Sequence, residues 1–406
     1  MSTLIFDSKL LVLWIKFKKL VALFIFKIGY ACGYLVTTKR NPDLICFFPC
    51  FHVGGAEKVH ADILAIASDK KPWILIDKQS KNTAFKKLFD RSGKLIDISS
   101  YLKNMIFRTC LTGYFACLIN RCEKIMLFGS NSFFYYDLLP YLNSSVYCVD
   151  LIHAFGGGAE SYSLPHVSRI NRRIVINYKC YQDLQKQYCV NNISSDLIKR
   201  VDIVENKVIV QNSKPLRACN SRLNVIYVGR GTPEKRVHLI SQIARICHDK
   251  DLPVDFTLVG DLKTCIAKDN SQYCIMLGEI HDVGQLEGLY QSSDLILITS
   301  SREGFPLVIM EAMANGVVPV ATDVGGISTH VRHGENGFLV ENFDKEECIV
   351  DSFIEIIEKL VSDKDLLIKL SDTAWQYASA HFRGDKFDTY YRQLFNVDDL
   401  MVANEN

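Results

Sequence analysis

Short runs of apolar residues, separated by longer segments with helical spacing, recur along most of this chain. In the first half they are LICFFP, WILID, KLIDI, KIMLFG, VYCVDLIH and RIVIN, at 44–49, 73–77, 94–98, 124–129, 146–153 and 173–177. Because these runs are almost wholly apolar, they are typical of strands that are covered on both faces, as in a parallel sheet. The alternation predicts a βαβ domain built on a parallel sheet.

The same rhythm restarts after NSKPLRACNSRL (212–223), a polar stretch that we interpret as an interdomain linker. The second set of runs is NVIYVG, VDFTLVG, YCIMLG, DLILITS, VVPVAT and GFLVE, at 224–229, 254–260, 273–278, 294–300, 317–322 and 337–341. A chain of 406 residues also exceeds what one hydrophobic core usually serves. We therefore predict an α/β protein with two Rossmann-like domains, and a ligand site in the cleft between them.

Composition narrows the classes of function. Apolar residues make up 48% of the chain and charged residues 23%, which describes an ordinary folded protein. The formal charge of +2 provides no global field for holding nucleic acid. The 14 cysteines are scattered, often within apolar runs, and never form a C-x-x-C pair. We expect a reducing, cytoplasmic compartment, no zinc site and no nucleic-acid partner.

The N-terminal segment from Lys9 to Val36 is rich in large apolar side chains but interrupted by lysines. Its longest uncharged stretch, 28–38, is too short to span a bilayer, and the lysines also fit a signal peptide poorly. Most of the lysines fall near one line of a helical wheel, which is typical of an interfacial helix on an anionic membrane. The alternative is a helix packed on the protein's own core with outward lysine side chains.

The stretch SREGFPLVIMEAMANG (301–316) places two carboxylates eight residues apart. Glu303 follows a buried strand, Pro306 suits the first position of the next helix, and Gly316 ends that helix. The amides of the helix start, at Gly304, Phe305 and Leu307, would hold an anion such as a phosphate. Glu303 would then face hydroxyl groups beside that anion, because like charges repel.

Glu311 lies about one turn deeper, inside an apolar helix. A buried carboxylate needs hydrogen-bond donors. A pair of vicinal ribose hydroxyls would supply them, and so would a pairing with an arginine or lysine of a neighbouring element.

The first loop of the second domain, YVGRGTPEKRVHLI, carries Arg230 and Lys235 between a strand and a helix. Two cations at the mouth of the same sheet would neutralise a diphosphate, although a solvated charged turn has the same composition. The pattern from Gly229 to Glu234 lacks the third glycine of a dinucleotide fingerprint.

Two features of the first domain point to the same cleft. Gly54 and Gly55 lead into a helix from the first strand, in CFHVGGAEKVH (50–60). His153 leaves the end of another strand before a triple glycine. A histidine in that position is a functional candidate, although a lone histidine is often structural.

Several of these motifs together resemble a known family. GRGTPEKR, VGD, TSSREGFPLVIMEAMANGVVPVATDVGG and HGENGFLV are similar to the second domain of the family-4 retaining glycosyltransferases of GT-B fold, with Glu303 and Glu311 at the positions of its Glu-x7-Glu motif. GGAEKV resembles the glycine-rich loop of that family's first domain, and 379–395 resembles its C-terminal helical stretch.

The resemblance implies a nucleotide-sugar donor, with Glu311 on the ribose, Glu303 and His153 near the donor sugar, and Arg230 and Lys235 on the diphosphate. The site would include the 304–307 backbone with Pro306, Gly229, and the acceptor-side loop of Gly54 and Gly55. Together with the apolar runs, the linker and the lysine pattern, it leads us to expect segments at 1–40 (membrane-surface helix), 41–213 (acceptor-side domain), 214–375 (donor domain) and 376–406 (helix returning to the first domain).

We therefore expect a metal-independent, retaining glycosyltransferase without a cofactor, peripheral on the inner face of the cell membrane. Its partners would be a nucleotide sugar and a glycan or lipid-linked acceptor. The alternatives are a nucleotide-sugar 2-epimerase of the same fold and a non-catalytic partner subunit. Two departures from the family pattern, IVENKVIV (203–210) and NYKCYQ (177–182), fall at the domain junction.

Overall fold

A computed structural model describes residues 8–36, 42–216 and 221–396. The remaining parts of the predicted N-terminal, linker and C-terminal segments lie outside the described residues. Two parallel sheets with surrounding helices form an α/β protein, so the predicted fold class is confirmed.

Within the described residues, the first sheet has seven parallel strands in the order β3-β2-β1-β4-β5-β6-β7. Six of them coincide with the apolar runs, whereas the seventh is too short to stand out in the sequence. The neighbours β1 and β4 pair from Leu44 opposite Met126. The strands are β1 Leu44–Phe48, β2 Trp73–Ile76, β3 Lys94–Asp97, β4 Met126–Ser130, β5 Tyr147–Ile152, β6 Arg172–Val175 and β7 Val201–Ile203.

The second sheet has six parallel strands, in the order β10-β9-β8-β11-β12-β13 over the described part of the chain. In both sheets the order reverses beside the first strand, and such a switch point opens a crevice at the carboxyl ends of the strands. The strands are β8 Leu223–Val228, β9 Val254–Val259, β10 Ile275–Gly278, β11 Leu295–Ile298, β12 Val318–Thr322 and β13 Phe338–Val340.

Helices connect the strands of both sheets. Before and within the first sheet they are α1 Ser8–Leu35, α2 Gly55–Ile66, α3 Lys86–Ser92, α4 Ser99–Leu102, α5 Met105–Asn120, α6 Phe133–Leu138, α7 Ala159–Ser163 and α8 Tyr178–Val190. Within and after the second they are α9 Val237–Asp249, α10 Lys268–Ser271, α11 Val283–Gln291, α12 Leu307–Ala314, α13 Ile327–His330, α14 Glu346–Ser362, α15 Lys364–His381 and α16 Asp385–Phe395.

Central strands are buried along their whole length because helices cover both faces. Every residue of β1, β4, β5, β11 and β12 is buried. Burial on both faces therefore explains the uninterrupted apolar runs of the sequence, as expected.

Helix α1 is divided into two parts with different surroundings. Its C-terminal part packs against α5 with the two backbones in contact, since an added Cβ at Gly29 would lie 1.9 Å from the carbonyl oxygen of Cys110. Arg121 Nη1 donates to the carbonyls of Gly33 and Tyr34 at the helix end, at 3.2 and 3.0 Å. Residues 14–24, by contrast, are exposed around the whole circumference of the helix. None of the described helices has both the length and the apolar character to span a bilayer.

The last described helix, α16, lies against the first sheet. The Phe128 ring contacts those of Tyr391 and Phe395, with centroids 6.1 and 5.9 Å apart. Tyr390 Oη donates to Asp202 Oδ2 at 2.7 Å. The chain thus returns from the second sheet to the first.

Candidate active site

The loop after β11 brings the first carboxylate, Glu303, to the carboxyl edge of the second sheet. Its side chain is 8% exposed. Glu303 Oε1 accepts from Lys235 Nζ at 2.5 Å and from Ser300 Oγ at 2.6 Å. Lys235 comes from the loop after β8, so the two predicted loops meet and their charges pair.

Helix α12 begins at Leu307, and Pro306 is its N-cap residue rather than its first helical residue. The prediction for Pro306 was therefore wrong by one position, because its ψ of 128° is extended and not helical. None of the amides of Gly304, Phe305 and Leu307 donates a hydrogen bond to a described residue. Three N–H groups thus stay available at the positive end of a buried helix.

The backbone at Gly304 has no room for a side chain. An added Cβ would lie 2.3 Å from the carbonyl oxygen of His153, in the first domain. The Gly304 carbonyl accepts from Gly326 N at 2.6 Å and from Asn177 Nδ2 at 3.2 Å. The start of α12 is thus fixed at the point where the two domains touch.

Glu311 lies one turn further along α12 and its side chain is 14% exposed. Its two oxygens have different partners. Lys58 Nζ donates to Oε1 at 2.5 Å, across the cleft from α2, and Tyr290 Oη donates to Oε2 at 3.0 Å. The carboxylate is therefore paired with a lysine, which is one of the two alternatives that its burial suggested.

Arg230 is exposed, and its carbonyl accepts from Tyr227 Oη at 3.1 Å. Gly229 lies beside the same hydroxyl, since an added Cβ there would be 2.6 Å from it. The predicted cation Arg230 thus lies at the mouth of the loop, whereas Lys235 lies inside it.

Arg236 was not expected in the site, yet it connects the two loops. Its guanidinium donates to the carbonyls of Thr299 and Ser300 at 2.7 and 2.9 Å. Its backbone φ of 46° lies in the left-handed region, which an L-residue rarely adopts. Arg236 therefore helps to position the Lys235 loop against the Glu303 loop, together with Thr299, whose hydroxyl oxygen lies 3.1 Å from the Lys235 carbonyl.

His153 follows β5 and contacts a second histidine from α2. His153 Nε2 lies 2.9 Å from His60 Nε2, which also lies 2.9 Å from Ser130 Oγ. The Ser130 hydroxyl donates to the Leu151 carbonyl at 3.1 Å, so its oxygen accepts from His60. We assign the His60 proton to Nε2, from which it is shared between Ser130 Oγ and His153 Nε2 in a three-centre hydrogen bond.

This assignment also gives the form of the His153 ring. Because Nε2 accepts, the proton of the neutral ring lies on Nδ1. Burial lowers the pKa of His153 to about 4, and burial together with the nearby His153 lowers that of His60 well below its usual value. His153 is thus a neutral ring with an Nδ1–H donor.

The acceptor-side loop also touches the second domain. An added Cβ at Gly55 would lie 3.7 Å from a Leu307 methyl group. At Gly54 it would lie 2.2 Å from Glu57 Oε2, so this glycine leaves room for a carboxylate of its own helix. The structure thus gives Gly54 a packing reason that the sequence did not suggest.

A pocket of about 260 Å³ opens in the cleft beside Glu303. Drug-sized ligands usually occupy about 300–1,000 Å³. The pocket is lined from the first domain by Phe155, Lys179, Cys180 and Asp183, and from the second by Ser301, Arg302, Glu303, Val324, Gly325 and Gly326. A ligand the size of a nucleotide sugar would have to extend beyond it, towards Glu311.

The second domain matches a known family. Residues 211–376 match the family model described as glycosyl transferases group 1. This part of the chain is similar to the group 1 glycosyl transferases. The match contains Glu303, Glu311, Arg230 and Lys235.

The chain is also similar to curated bacterial proteins. The chain is 27% identical to N-acetyl-alpha-D-glucosaminyl L-malate synthase of Bacillus anthracis, over 41% of this chain and 46% of that protein. It is 31% identical to the capsular polysaccharide biosynthesis glycosyltransferase CapM of Staphylococcus aureus, over 36% of this chain and 39% of that protein. The chain spans about half the length, or less, of these relatives.

Solved structures share the fold of most of this chain. A Staphylococcus aureus TarM mutant, in complex with fondaparinux, alpha-GlcNAc-glycerol and UDP, has a TM-score of 0.69 at 16% identity, covering 87% of this chain and 99% of that one. Anabaena HepE in complex with UDP-glucose has a TM-score of 0.65 at 18% identity, covering 88% and 99%. The chain that carries the group 1 domain has the GT-B fold, as the resemblance implied.

Proposed function

We propose that the protein is a glycosyltransferase that moves a sugar from a nucleotide-diphosphate sugar to a glycan or lipid-linked acceptor. The observation that carries this proposal is the start of α12. Three unpaired amides there lie between the Lys235–Glu303 pair and Glu311, inside a group 1 glycosyl transferase domain. Such a helix start suits a diphosphate. Since HepE and TarM were crystallised with UDP-glucose and UDP, uridine diphosphate sugars are the first donors to test.

Transfer would proceed with protein cations stabilising the leaving diphosphate. Glycosyl transfer develops positive charge on the sugar and negative charge on the departing phosphate. Lys235, Arg230 and the α12 amides would stabilise that negative charge. Glu303 would face the sugar hydroxyls, and Lys235 would bridge it to the phosphate. We propose retention of the anomeric configuration and no requirement for a metal in this step, both of which rest on the family resemblance.

His153 would donate its Nδ1–H to the donor sugar from the opposite wall of the cleft. The function of His60 in this proposal is to hold the tautomer that makes Nδ1 a donor. His60 is buried and reaches the cleft only through His153. It is therefore a positioning residue.

We expect His60→Phe to lower kcat for transfer by about tenfold and His60→Gln to recover part of it, because glutamine restores an N–H donor where phenylalanine cannot. Long-range ¹H–¹⁵N spectra should show His153 protonated on Nδ1 in the wild type and a mixture of tautomers in His60→Phe. Since His153 stays neutral above its pKa of about 4, the rate should show no step from this ring between about pH 5 and 8. An unchanged tautomer in His60→Phe would remove His60 from this function.

An assay that follows donor, product and free sugar separates the alternatives. A transferase gives a glycosylated acceptor in membrane extract and slow donor hydrolysis without one. A 2-epimerase releases nucleotide and an altered free sugar without any acceptor. A non-catalytic partner subunit gives neither product.

We also propose that the exposed half of α1 binds an anionic membrane surface. Leu20 and Phe24 are each 66% exposed, and the lysines nearby would face lipid phosphates. Lys18, which lies on the apolar side, places its Nζ 3.4 Å from the centroid of the Trp14 ring, where a cation–π contact compensates part of its charge. This arrangement would bring the cleft to a lipid-linked acceptor on the inner face of the membrane.

We expect the double variant Leu20→Glu and Phe24→Glu to lose flotation with anionic liposomes while keeping the wild-type melting temperature. Both side chains lie in the exposed half, so the packing of Gly29 and Gly33 on α5 is left intact. Val190→Glu, at an exposed apolar residue of the first domain, is the matched control and should float normally. Flotation of the double variant would contradict the assignment of α1 as the anchor.

A further inference from the structure

Three different metal-ligating side chains meet in the loop between β1 and α2. Cys50 follows β1, His52 lies in the loop, and Glu57 is in the first turn of α2. Cys50 and Glu57 are buried, and the His52 side chain is 12% exposed. The ligating atoms of all three lie within 4.8 Å of one another. Nothing in the proposed transfer reaction uses this cluster.

The spacing of the three atoms is close to that of a tetrahedral zinc site. Bonds of about 2.3 Å to sulfur and about 2.0–2.2 Å to nitrogen and oxygen give tetrahedral edges of about 3.4–3.6 Å. Cys50 Sγ lies 3.7 Å from His52 Nε2, and His52 Nε2 lies 3.6 Å from Glu57 Oε1. Cys50 Sγ lies 3.1 Å from Glu57 Oε1, because in the absence of a metal the thiol donates to that oxygen. A cation therefore requires one edge to open by about half an ångström.

The local sequence also makes room for the carboxylate. Any side chain at Gly54 would collide with Glu57 Oε2, at 2.2 Å from an added Cβ. The φ of Gly54 is 178°, which any residue adopts, so the glycine is required by this contact and not by the backbone conformation. The loop is thus built around the position of Glu57.

We propose that Cys50, His52 and Glu57 bind a zinc-class divalent cation, with a fourth position open to water. Thiolate, imidazole and carboxylate are the ligands that zinc takes, and three protein ligands plus water is a common arrangement. The Cys50 thiol gives its proton to solvent as its sulfur takes the metal, so one proton is released at this residue. The site lies in the first domain, in the loop that contacts Leu307 at the start of α12, and it departs from the expectation, drawn from the sequence, of no zinc site in the chain.

The proton on Cys50 sets part of the cost of binding. The thiol donates that proton to Glu57 Oε1 at 3.1 Å, so the metal must displace it. His52 Nδ1 is buried and has no hydrogen-bond partner among the described residues. Metal-bound histidines usually have such a partner, and its loss weakens affinity about 10–100-fold. We therefore expect a site of moderate affinity, which responds to free zinc and is not permanently loaded.

Cobalt(II) titration of the full-length protein tests the site directly, because a cysteine ligand gives a sulfur-to-cobalt charge-transfer band. The protein is reduced, freed of metal with a chelator, and titrated with cobalt chloride alone. We expect a charge-transfer band and strong visible bands that saturate at one equivalent and disappear when zinc chloride is added. Cys50→Ser should abolish the charge-transfer band, and His52→Ala should weaken cobalt binding at least about tenfold.

Cys348→Ser is the matched control, because this cysteine is exposed and far along the chain in α14. It should keep the wild-type spectrum. Zinc chloride should raise the melting temperature of the wild type and of Cys348→Ser but not of His52→Ala, whose partly exposed position makes folding independent of the ligand. No charge-transfer band in the wild type, or a band that persists in Cys50→Ser, would overturn the assignment. Both outcomes are independent of sugar transfer, so neither of them bears on the proposed function.

Discussion

Replacing Lys235 with alanine is expected to lower kcat/KM for sugar transfer by about 10²-fold, the usual effect of removing one preorganised charge-stabilising donor. Lys235 Nζ lies 2.5 Å from Glu303 Oε1, and both side chains are largely buried. The alanine variant therefore loses the cation that would face the diphosphate and leaves Glu303 with Ser300 as its remaining donor. Steady-state kinetics with a saturating acceptor extract measure the effect.

Two further variants show whether the lower kcat/KM is caused by the loss of the positive charge. Lys235→Arg keeps the cation and should recover part of the rate, although its planar group fits differently. Lys369→Ala removes an exposed lysine of α15 and should leave kcat/KM unchanged. A wild-type kcat/KM in Lys235→Ala would place Lys235 outside the site.

Glu311→Ala is expected to weaken nucleotide-diphosphate binding by at least tenfold, whereas Lys58→Ala should tighten it. The ribose hydroxyls would donate to the same carboxylate that Lys58 now occupies. Each hydrogen bond to a charged group contributes about 1.5–3 kcal/mol, and about 1.4 kcal/mol corresponds to tenfold in affinity. In Lys58→Ala the nucleotide no longer has to displace an ammonium group from Glu311. Calorimetric titration of both variants measures the two effects.

The opposite signs of these two effects decide between the two explanations of Glu311. A purely structural ion pair predicts that either alanine variant lowers the melting temperature and that neither changes nucleotide affinity. Tyr290→Phe provides a control for the other oxygen of Glu311, because it removes the hydroxyl that donates at 3.0 Å without changing the charge. It should weaken nucleotide binding less than Glu311→Ala does.

The strands were predictable because their burial on both faces leaves a direct mark on the sequence. All twelve apolar runs became strands, with ends shifted by one or two residues where the strand leaves the sheet. β7 was missed because Val201–Ile203 is too short to form a pattern. The division of α1 could not be predicted either, since it depends on close contacts with α5, such as that of Gly29 with the distant residue Cys110.

The candidate site was predictable where one loop carries it. Glu303 and Glu311 share one strand–helix unit, so their spacing is visible locally. Their partners are not local, because Lys58 lies 253 residues from Glu311 and Lys235 lies 68 residues from Glu303. Pairing of this kind follows from the packing of two domains. The sequence shows the charged residues but not which of them form pairs.

The same limit explains the residues that were overlooked. His60 lies in the middle of α2, where its sequence neighbours say nothing about His153, 93 residues away. The Cys50, His52 and Glu57 cluster is local, but its C-x-H-x4-E spacing differs from the spacings of the common zinc motifs. The left-handed backbone of Arg236 leaves no mark on the sequence, because arginine is not a residue that favours it.

Thermal unfolding of the wild-type protein with UDP, GDP, ADP, CMP and their common sugar conjugates tests the central claim most directly. A ligand that binds only the folded state raises the melting temperature. The nucleotide-sugar account predicts a selective rise with one diphosphate and its sugar conjugate, and the loss of that rise in Glu311→Ala. No rise with any of these ligands, in protein that unfolds cooperatively, would contradict a donor site at the start of α12.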